Sequence, residues 1–161
     1  MLPRADPYAT HLPVLARVVT MSHGPVLELG AGWYSTPLLH WLCLPGGCVT
    51  LDGDALMLVA LDWCATSWHH LRHVQDWDAA PEPDRPGWAV ALVDHAPAER
   101  RKVELRRLRG NARYVVVHDS DEALYGLEPV AAQYRWRWEW RAMRPATAVL
   151  SDFADPAEMF G

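Results

Sequence analysis

The chain has 161 residues and a net charge of −5, and half of its residues are hydrophobic, including nine tryptophans. This composition excludes a disordered chain and suffices for one buried core, so we expect a single domain over residues 1–161. No apolar run approaches the roughly 18 residues of a membrane span, and the N-terminus lacks the order of a secretion signal; we therefore expect a cytoplasmic protein without a membrane partner.

The first half of the chain alternates helical and strand-like segments. Apolar residues at helical spacing predict a helix over residues 7–22, and the mostly apolar run 25–30 predicts a buried parallel strand. Ser35 or Thr36 can cap the next predicted helix, which ends at Pro45-Gly46-Gly47. Three elements follow: a strand over 48–52, a helix over 55–68 and a weaker strand within 71–78.

The second half continues this alternation and ends differently. The Pro-rich stretch 79–87 predicts a loop, and residues 88–95 are the strongest strand in the sequence. Beyond them we expect a helix over 97–110, a strand over 112–119, an interrupted helix over 121–134 and two antiparallel strands within 135–141 and 146–153. The alternation predicts an α/β fold, a doubly wound, mainly parallel Rossmann-like sheet with a final antiparallel hairpin.

An acidic residue stands at the end of every predicted parallel strand. These residues are Glu28, Asp52, Asp76, Asp94 and Asp119. In sheets of this kind, ligands bind beyond the carboxyl ends of the strands. Carboxylates at that edge favour a ligand with positive charge.

The turn Gly30-Ala31-Gly32 after the first strand suits a nucleotide cofactor. A dinucleotide requires the pattern G-x-G-x-x-G, but the third position here is Ser35, and Glu28 would lie close to the pyrophosphate. S-adenosylmethionine has no phosphate and brings an ammonium and a sulfonium, so the neighbouring acids favour it. Asp52 is placed to accept hydrogen bonds from the ribose hydroxyls.

The third strand carries a second candidate contact. Asp76 could accept a hydrogen bond from the adenine amino group, with Trp77 against the ring. With these motifs the chain resembles the class I S-adenosylmethionine-dependent methyltransferases. The resemblance rests on "ELGAG", "TLDGD", "VQDWD" and "VALVDHAP" as successive strand-end motifs, and on "RWRWEWR" with "TAVLSDF" as the final hairpin.

The resemblance implies S-adenosylmethionine as cofactor and methyl transfer as reaction. It implies a cofactor site made of Glu28, Gly30, Ala31, Gly32, Ser35, Asp52, Gly53, Asp76, Trp77 and Asp94. The chain shows no substrate-capping domain, so we expect an unidentified, small-molecule acceptor. Two alternatives stay open: a non-catalytic module that binds the adenosyl cofactor, and an NAD-dependent oxidoreductase.

Reaction chemistry is expected where the fourth and fifth strands end. Asp94, His95, His118 and Asp119 are predicted to converge there, with His95 or His118 as a general base. Some members of the family bind Mg²⁺ through carboxylates at these two strand ends, and Asp94, Asp119 and Asp121 are the matching residues. Because His118 is a poor ligand for so hard an ion, we expect a reaction that needs no metal.

Arginine-rich segments offer a possible surface for RNA. They are the predicted helix 97–110 and the alternating arginines and tryptophans of 135–141. In an acidic chain we expect these arginines to face water while the tryptophans pack on the core, so nucleic acid is not the favoured partner. The sequence makes no prediction about the oligomeric state.

Overall fold

The strands of the protein form one mixed sheet in a computed structural model, which describes residues 6–44 and 46–161. The strands are β1 (Val26–Leu29), β2 (Cys48–Asp52), β3 (His69–His73), β4 (Trp88–Val93), β5 (Ala112–His118), β6 (Trp136–Trp140) and β7 (Thr147–Ser151). Their order across the sheet is β3-β2-β1-β4-β5-β7-β6. β7 runs antiparallel to both β5 and β6, and the other pairs are parallel. The predicted fold class and its final hairpin are confirmed.

Short helices connect the strands. They are α1 (Leu12–Met21), α2 (Ser35–Leu42), α3 (Ala55–Ala60), α4 (Arg101–Leu108) and α5 (Glu128–Ala131). The Pro-rich loop contains only a 3₁₀ turn, Glu82–Asp84, as the composition predicts. Among the described residues, no helix has both the length and the apolarity that a membrane crossing requires.

Two predicted boundaries between β2 and β4 are wrong. The helix expected over 55–68 ends at Ala60, and the strand expected within 71–78 spans His69–His73 instead. Pairing with β2 sets this register, since Cys48 lies opposite His69 and Asp52 opposite His73. Tertiary pairing therefore overrides a weak local pattern. The predicted helix stop at Pro45 lies outside the described residues, as do residues 1–5.

Alternate residues of the central strands enter two separate apolar layers. One layer contains Val93 of β4 together with Leu105 and Leu108 of α4. The other contains Leu92 of β4 together with Val14 of α1. The sheet therefore has an α4 face and an α1 face, and successive side chains of β4 and β5 point to opposite faces.

The C-terminal hairpin behaves as its alternating pattern predicts. Trp138 is half-buried and stacks on Phe160, with 3.7 Å between the ring centroids. Arg137, its neighbour along β6, is exposed and pairs with Glu128 at 2.6 Å. The tryptophans thus cover the core while an acidic partner neutralises this arginine.

Candidate functional site

A cavity of about 760 Å³ opens beyond the carboxyl ends of β2, β3 and β4. Its size lies within the range of cofactor sites. Its lining includes Asp52, Gly53, Val74, Gln75, Trp77 and Pro97. Three of the residues singled out from the sequence, Asp52, Gly53 and Trp77, therefore lie on one surface.

The glycine turn is set by the contact between two strand ends. Gly30 has a φ of +101°, and a Cβ there would lie 2.6 Å from the backbone carbonyl carbon of Asp94. Glycine is required because β1 approaches β4 too closely for any side chain. The next two residues serve the turn itself: the Ala31 N–H donates to Asp52 Oδ2 at 2.6 Å, and the Gly32 N–H donates to Thr36 Oγ1 at 3.0 Å.

Asp52 joins the glycine turn to the start of the next helix. Its Oδ1 accepts the N–H of Asp54 at 2.5 Å, while Oδ2 accepts that of Ala31. Burial raises the pKa of Asp52, and these two N–H groups act against that rise. The two bonds hold the carboxylate in one orientation at the rim of the cavity.

Glu28 supports the turn from beneath. Its side chain is fully buried, and Oε2 accepts hydrogen bonds from Thr36 and Thr50 at 2.9 and 2.6 Å. Burial raises the pKa of Glu28 to about 7, against hydrogen bonds from Ser35, Thr50 and Thr36 that lower it. Ser35 is buried with it. The resemblance implies that Glu28 and Ser35 belong to the cofactor site, yet both lie below the surface of the turn.

Asp76, the predicted adenine contact, does not line the main cavity. Asp76 accepts the N–H of Asp78 at 2.9 Å and lines a separate cavity of about 440 Å³ beside Arg72. Gln75 is the polar side chain after β3 that lines the main cavity. Asp76 therefore lies outside the cavity that it was predicted to line, because β3 starts and ends earlier than the sequence indicates.

His95 does not join the predicted reaction group. Its ring is 1 % exposed and lies on the α4 face, 4.3 Å from the Trp77 ring, with Nε2 3.2 Å from Glu104 Oε2. Asp94 points to the other face because neighbouring residues of an extended chain alternate. His95 therefore supports Trp77 from behind, and its expected role as a general base is wrong for this arrangement.

The other three predicted reaction residues do meet. His118 Nδ1 lies 3.1 Å from Asp94 Oδ1, and its Nε2 lies 3.6 Å from Asp119 Oδ1. The side chains of Asp94 and Asp119 are 22 % and 19 % exposed, whereas that of His118 is 3 % exposed. Burial raises the pKa of Asp94, but the bond to His118 and the charge of Arg101 outweigh it, so the net pKa lies below the ordinary value. The two carboxylates are therefore partly accessible to solvent, whereas the imidazole is buried.

A guanidinium lies between the two carboxylates that match the Mg²⁺ ligands of some family members. Arg101 lies 2.9 Å from Asp94 Oδ1 and 3.0 Å from Asp119 Oδ2, and it also donates to the backbone carbonyls of Asp94, His95 and His118. Asp121, the third candidate ligand, turns away to Arg144 and to the N–H of Ala146. A cation of the protein itself bridges the two carboxylates.

Three residues of this site are not predicted by the sequence. Arg101 belongs to the predicted helix 97–110, whose arginines are expected to face water, but it is only 6 % exposed. Thr10 and His11 precede α1 and are fully buried against His118. Burial lowers the pKa of His11 to about 4, and the nearby His118 adds to this effect. The sequence offers one signal for Thr10 and His11: two polar residues stand next to the apolar start of a helix.

Comparison with known proteins gives fold relatives alone. No family model matches the chain, and no curated protein matches it. Among solved structures, human methyltransferase-like protein 13 in complex with SAH aligns over 91% of this chain and 82% of its own, with 15% identity and a TM-score of 0.66. Spermidine synthase from Thermotoga maritima aligns over 97% of this chain, with 10% identity and a TM-score of 0.66. The bifunctional kinase-methyltransferase WbdD aligns over 92%, with 13% identity and a TM-score of 0.60.

The chain spans 63% of the length of that spermidine synthase and 40% of that of WbdD. The strand order and the site at the strand ends define a Rossmann-like α/β protein. More narrowly, the chain has the fold of the class I S-adenosylmethionine-dependent methyltransferases.

Proposed function

We propose that the protein binds S-adenosylmethionine in the cavity beyond β2, β3 and β4 and that it catalyses methyl transfer to a small-molecule acceptor. The observation that carries this proposal is the Asp52 carboxylate, held at the cavity rim by the N–H groups of Ala31 and Asp54. Each of its oxygens keeps a second lone pair for a ribose hydroxyl.

The remaining lining also fits an adenosyl group. Trp77 offers an aromatic surface, and the side-chain amide of Gln75 can both donate and accept at the edge of adenine. Glu28 is fully buried beneath the turn and contributes by holding Thr36 and Thr50 in place. Gly30, Ala31, Gly32 and Ser35 contribute by shaping the turn above it.

Asp94 is the residue proposed to meet the acceptor. When bound, S-adenosylmethionine supplies a methyl group on a sulfonium, which an acceptor nucleophile displaces in line. Asp94 can accept a hydrogen bond from that nucleophile and so orient it, while Arg101 and His118 hold the carboxylate. Its lowered pKa favours a hydrogen-bond acceptor over a strong base. Asp119 shares the guanidinium of Arg101 and keeps the second carboxylate close by.

Two rival functions remain to be distinguished. An NAD-dependent oxidoreductase would have to place a pyrophosphate above Glu28, on a turn where Ser35 replaces the third glycine. A non-catalytic module would bind the adenosyl cofactor equally well and transfer nothing. RNA as the acceptor is less favoured because Arg100, Arg107 and Arg137 are each paired with a carboxylate.

Calorimetry tests the cofactor. S-adenosylhomocysteine should bind far more tightly than NAD, and Asp52→Ala should weaken its binding by about 1.5–3 kcal/mol, the scale of a hydrogen bond to a charged group. Asp76→Ala is the matched control and should leave the affinity unchanged. NAD affinity equal to or above that of S-adenosylhomocysteine would overturn the proposal. A labelled-methyl screen over phenols, amines, carboxylates and RNA then separates the enzyme from the non-catalytic module.

A further inference from the structure

Two histidines and a carboxylate on the α1 face form a group that the proposed methyl transfer does not use in full. One ligand atom from each of His11, Asp94 and His118 lies within 4.8 Å of the others. His11 and His118 are buried, so Asp94 is the member of the group that is partly exposed to solvent. The rings of His11 and His118 lie 4.4 Å apart between centroids.

The hydrogen bonds of Thr10 fix the tautomer of His118. Thr10 Oγ1 donates to the carbonyl of Pro145 at 2.9 Å, and the carbonyl of Pro7 lies at 3.3 Å. The single hydroxyl hydrogen therefore goes to a carbonyl, which can only accept. Toward His118 Nε2, 3.1 Å away, Thr10 Oγ1 is then an acceptor, and Nε2 carries the hydrogen.

This assignment leaves two lone pairs facing each other. In a neutral imidazole with its hydrogen on Nε2, Nδ1 is an acceptor. Nδ1 of His118 nevertheless lies 3.1 Å from Asp94 Oδ1, which is also an acceptor. A positive species, either a second proton or a metal ion, must be shared by these two atoms. The local charge also favours a positive species. The carboxylates of Asp94 and Asp119 and the guanidinium of Arg101 together carry a charge of −1.

His11 distinguishes between the two positive species. It is 1 % exposed, and neither ring nitrogen has a hydrogen-bond partner among the described residues. A buried polar group without a partner is costly, and a proton between His118 and Asp94 would do nothing for it. A metal ion would accept a lone pair from His11 as its third ligand.

We infer that His11, Asp94 and His118 form a binding site for a first-row transition-metal dication such as Zn²⁺, Mn²⁺ or Fe²⁺. Two imidazoles and one carboxylate suit these ions and leave coordination positions for water or another ligand. The bond from His118 Nε2–H to Thr10 supplies the outer contact that ligating histidines commonly make. The site differs from the Mg²⁺ site considered above, where Arg101 stands between Asp94 and Asp119.

Metal titration of the chelator-treated protein tests this site independently of any methyl transfer. One equivalent of Co²⁺ should bind and give the d–d spectrum of a nitrogen-ligated ion, and Zn²⁺ should displace it. His11→Ala should weaken Zn²⁺ binding at least about tenfold, while His23→Ala, which removes an exposed histidine, should leave it unchanged. His11→Gln keeps the size of the side chain and provides the measurement if circular dichroism shows that His11→Ala is unfolded.

Three results would overturn the inference: no stoichiometric Co²⁺ binding, equal Zn²⁺ affinity of the wild type and both His11 variants, or a ring NMR spectrum of His118 doubly protonated at neutral pH with Zn²⁺ present. The last result would identify the shared species as a proton. Failure of S-adenosylhomocysteine to bind in calorimetry would overturn the proposed function and leave this site untouched.

Discussion

Glu28→Gln removes a buried ionisable group beneath the glycine turn while keeping the shape of its side chain. Glu28 is fully buried, and its Oε2 accepts hydrogen bonds from Thr36 and Thr50. The amide oxygen of glutamine can accept the same two bonds. The substitution therefore isolates the effect of placing a carboxyl group where its charge is poorly solvated.

The effect on stability follows from two pKa values. Burial holds the pKa of Glu28 at about 7 in the folded protein, against an ordinary value of 4.5. Between these pH values the folded protein keeps a proton that the unfolded chain releases, so the free energy of unfolding falls as pH rises through this window. At 1.36 kcal/mol per unit of pKa, the loss from pH 4 to pH 8 is about 3 kcal/mol.

Urea unfolding at several pH values between 4 and 8 measures this loss. The free energy of unfolding of the wild type, minus that of Glu28→Gln, should fall by about 3 kcal/mol across the range, since all other titrating groups are common to both proteins. The exposed Glu99→Gln is the matched control and should give a difference that is independent of pH. A pH-independent difference for Glu28→Gln as well would refute the idea that burial raises the pKa of this carboxyl group.

Two further stability predictions use matched pairs. Gly30→Ala should lower the free energy of unfolding by about 1–3 kcal/mol more than Gly87→Ala does. Both glycines have a φ near +100°, but a Cβ at Gly30 would lie 2.6 Å from backbone atoms, whereas a Cβ at Gly87 would meet none. Equal unfolding free energies of the two variants would contradict this prediction. Arg101→Met should lower the free energy of unfolding by about 3–5 kcal/mol by leaving Asp94 and Asp119 without their counter-charge, whereas the exposed Arg106→Met should have little effect. Equal urea midpoints for the two arginine variants would show that the bridge contributes nothing to stability.

Local sequence patterns predict those parts of the site whose position follows from the direction of a strand alone. An acid after a buried strand, as at Asp52 and Asp94, lies at the carboxyl edge of the sheet whatever the packing above it. The glycine turn follows β1 directly, so the local sequence predicts its position as well. The placement of Asp76 failed because the signal for β3 is weak and its register depends on pairing with β2, which lies some twenty residues earlier.

The sequence by itself determined the α/β fold, the final hairpin and the acidic edge, because strand and helix periodicity and strand-end residues are local properties of the chain. Only the tertiary structure decided which side chains share a face. It separated His95 from Asp94, placed Arg101 between two carboxylates, and brought Thr10 against His118 across 108 positions of the chain. Contacts of this kind depend on the packing of α1 and α4 on opposite faces of the sheet, which no local pattern encodes.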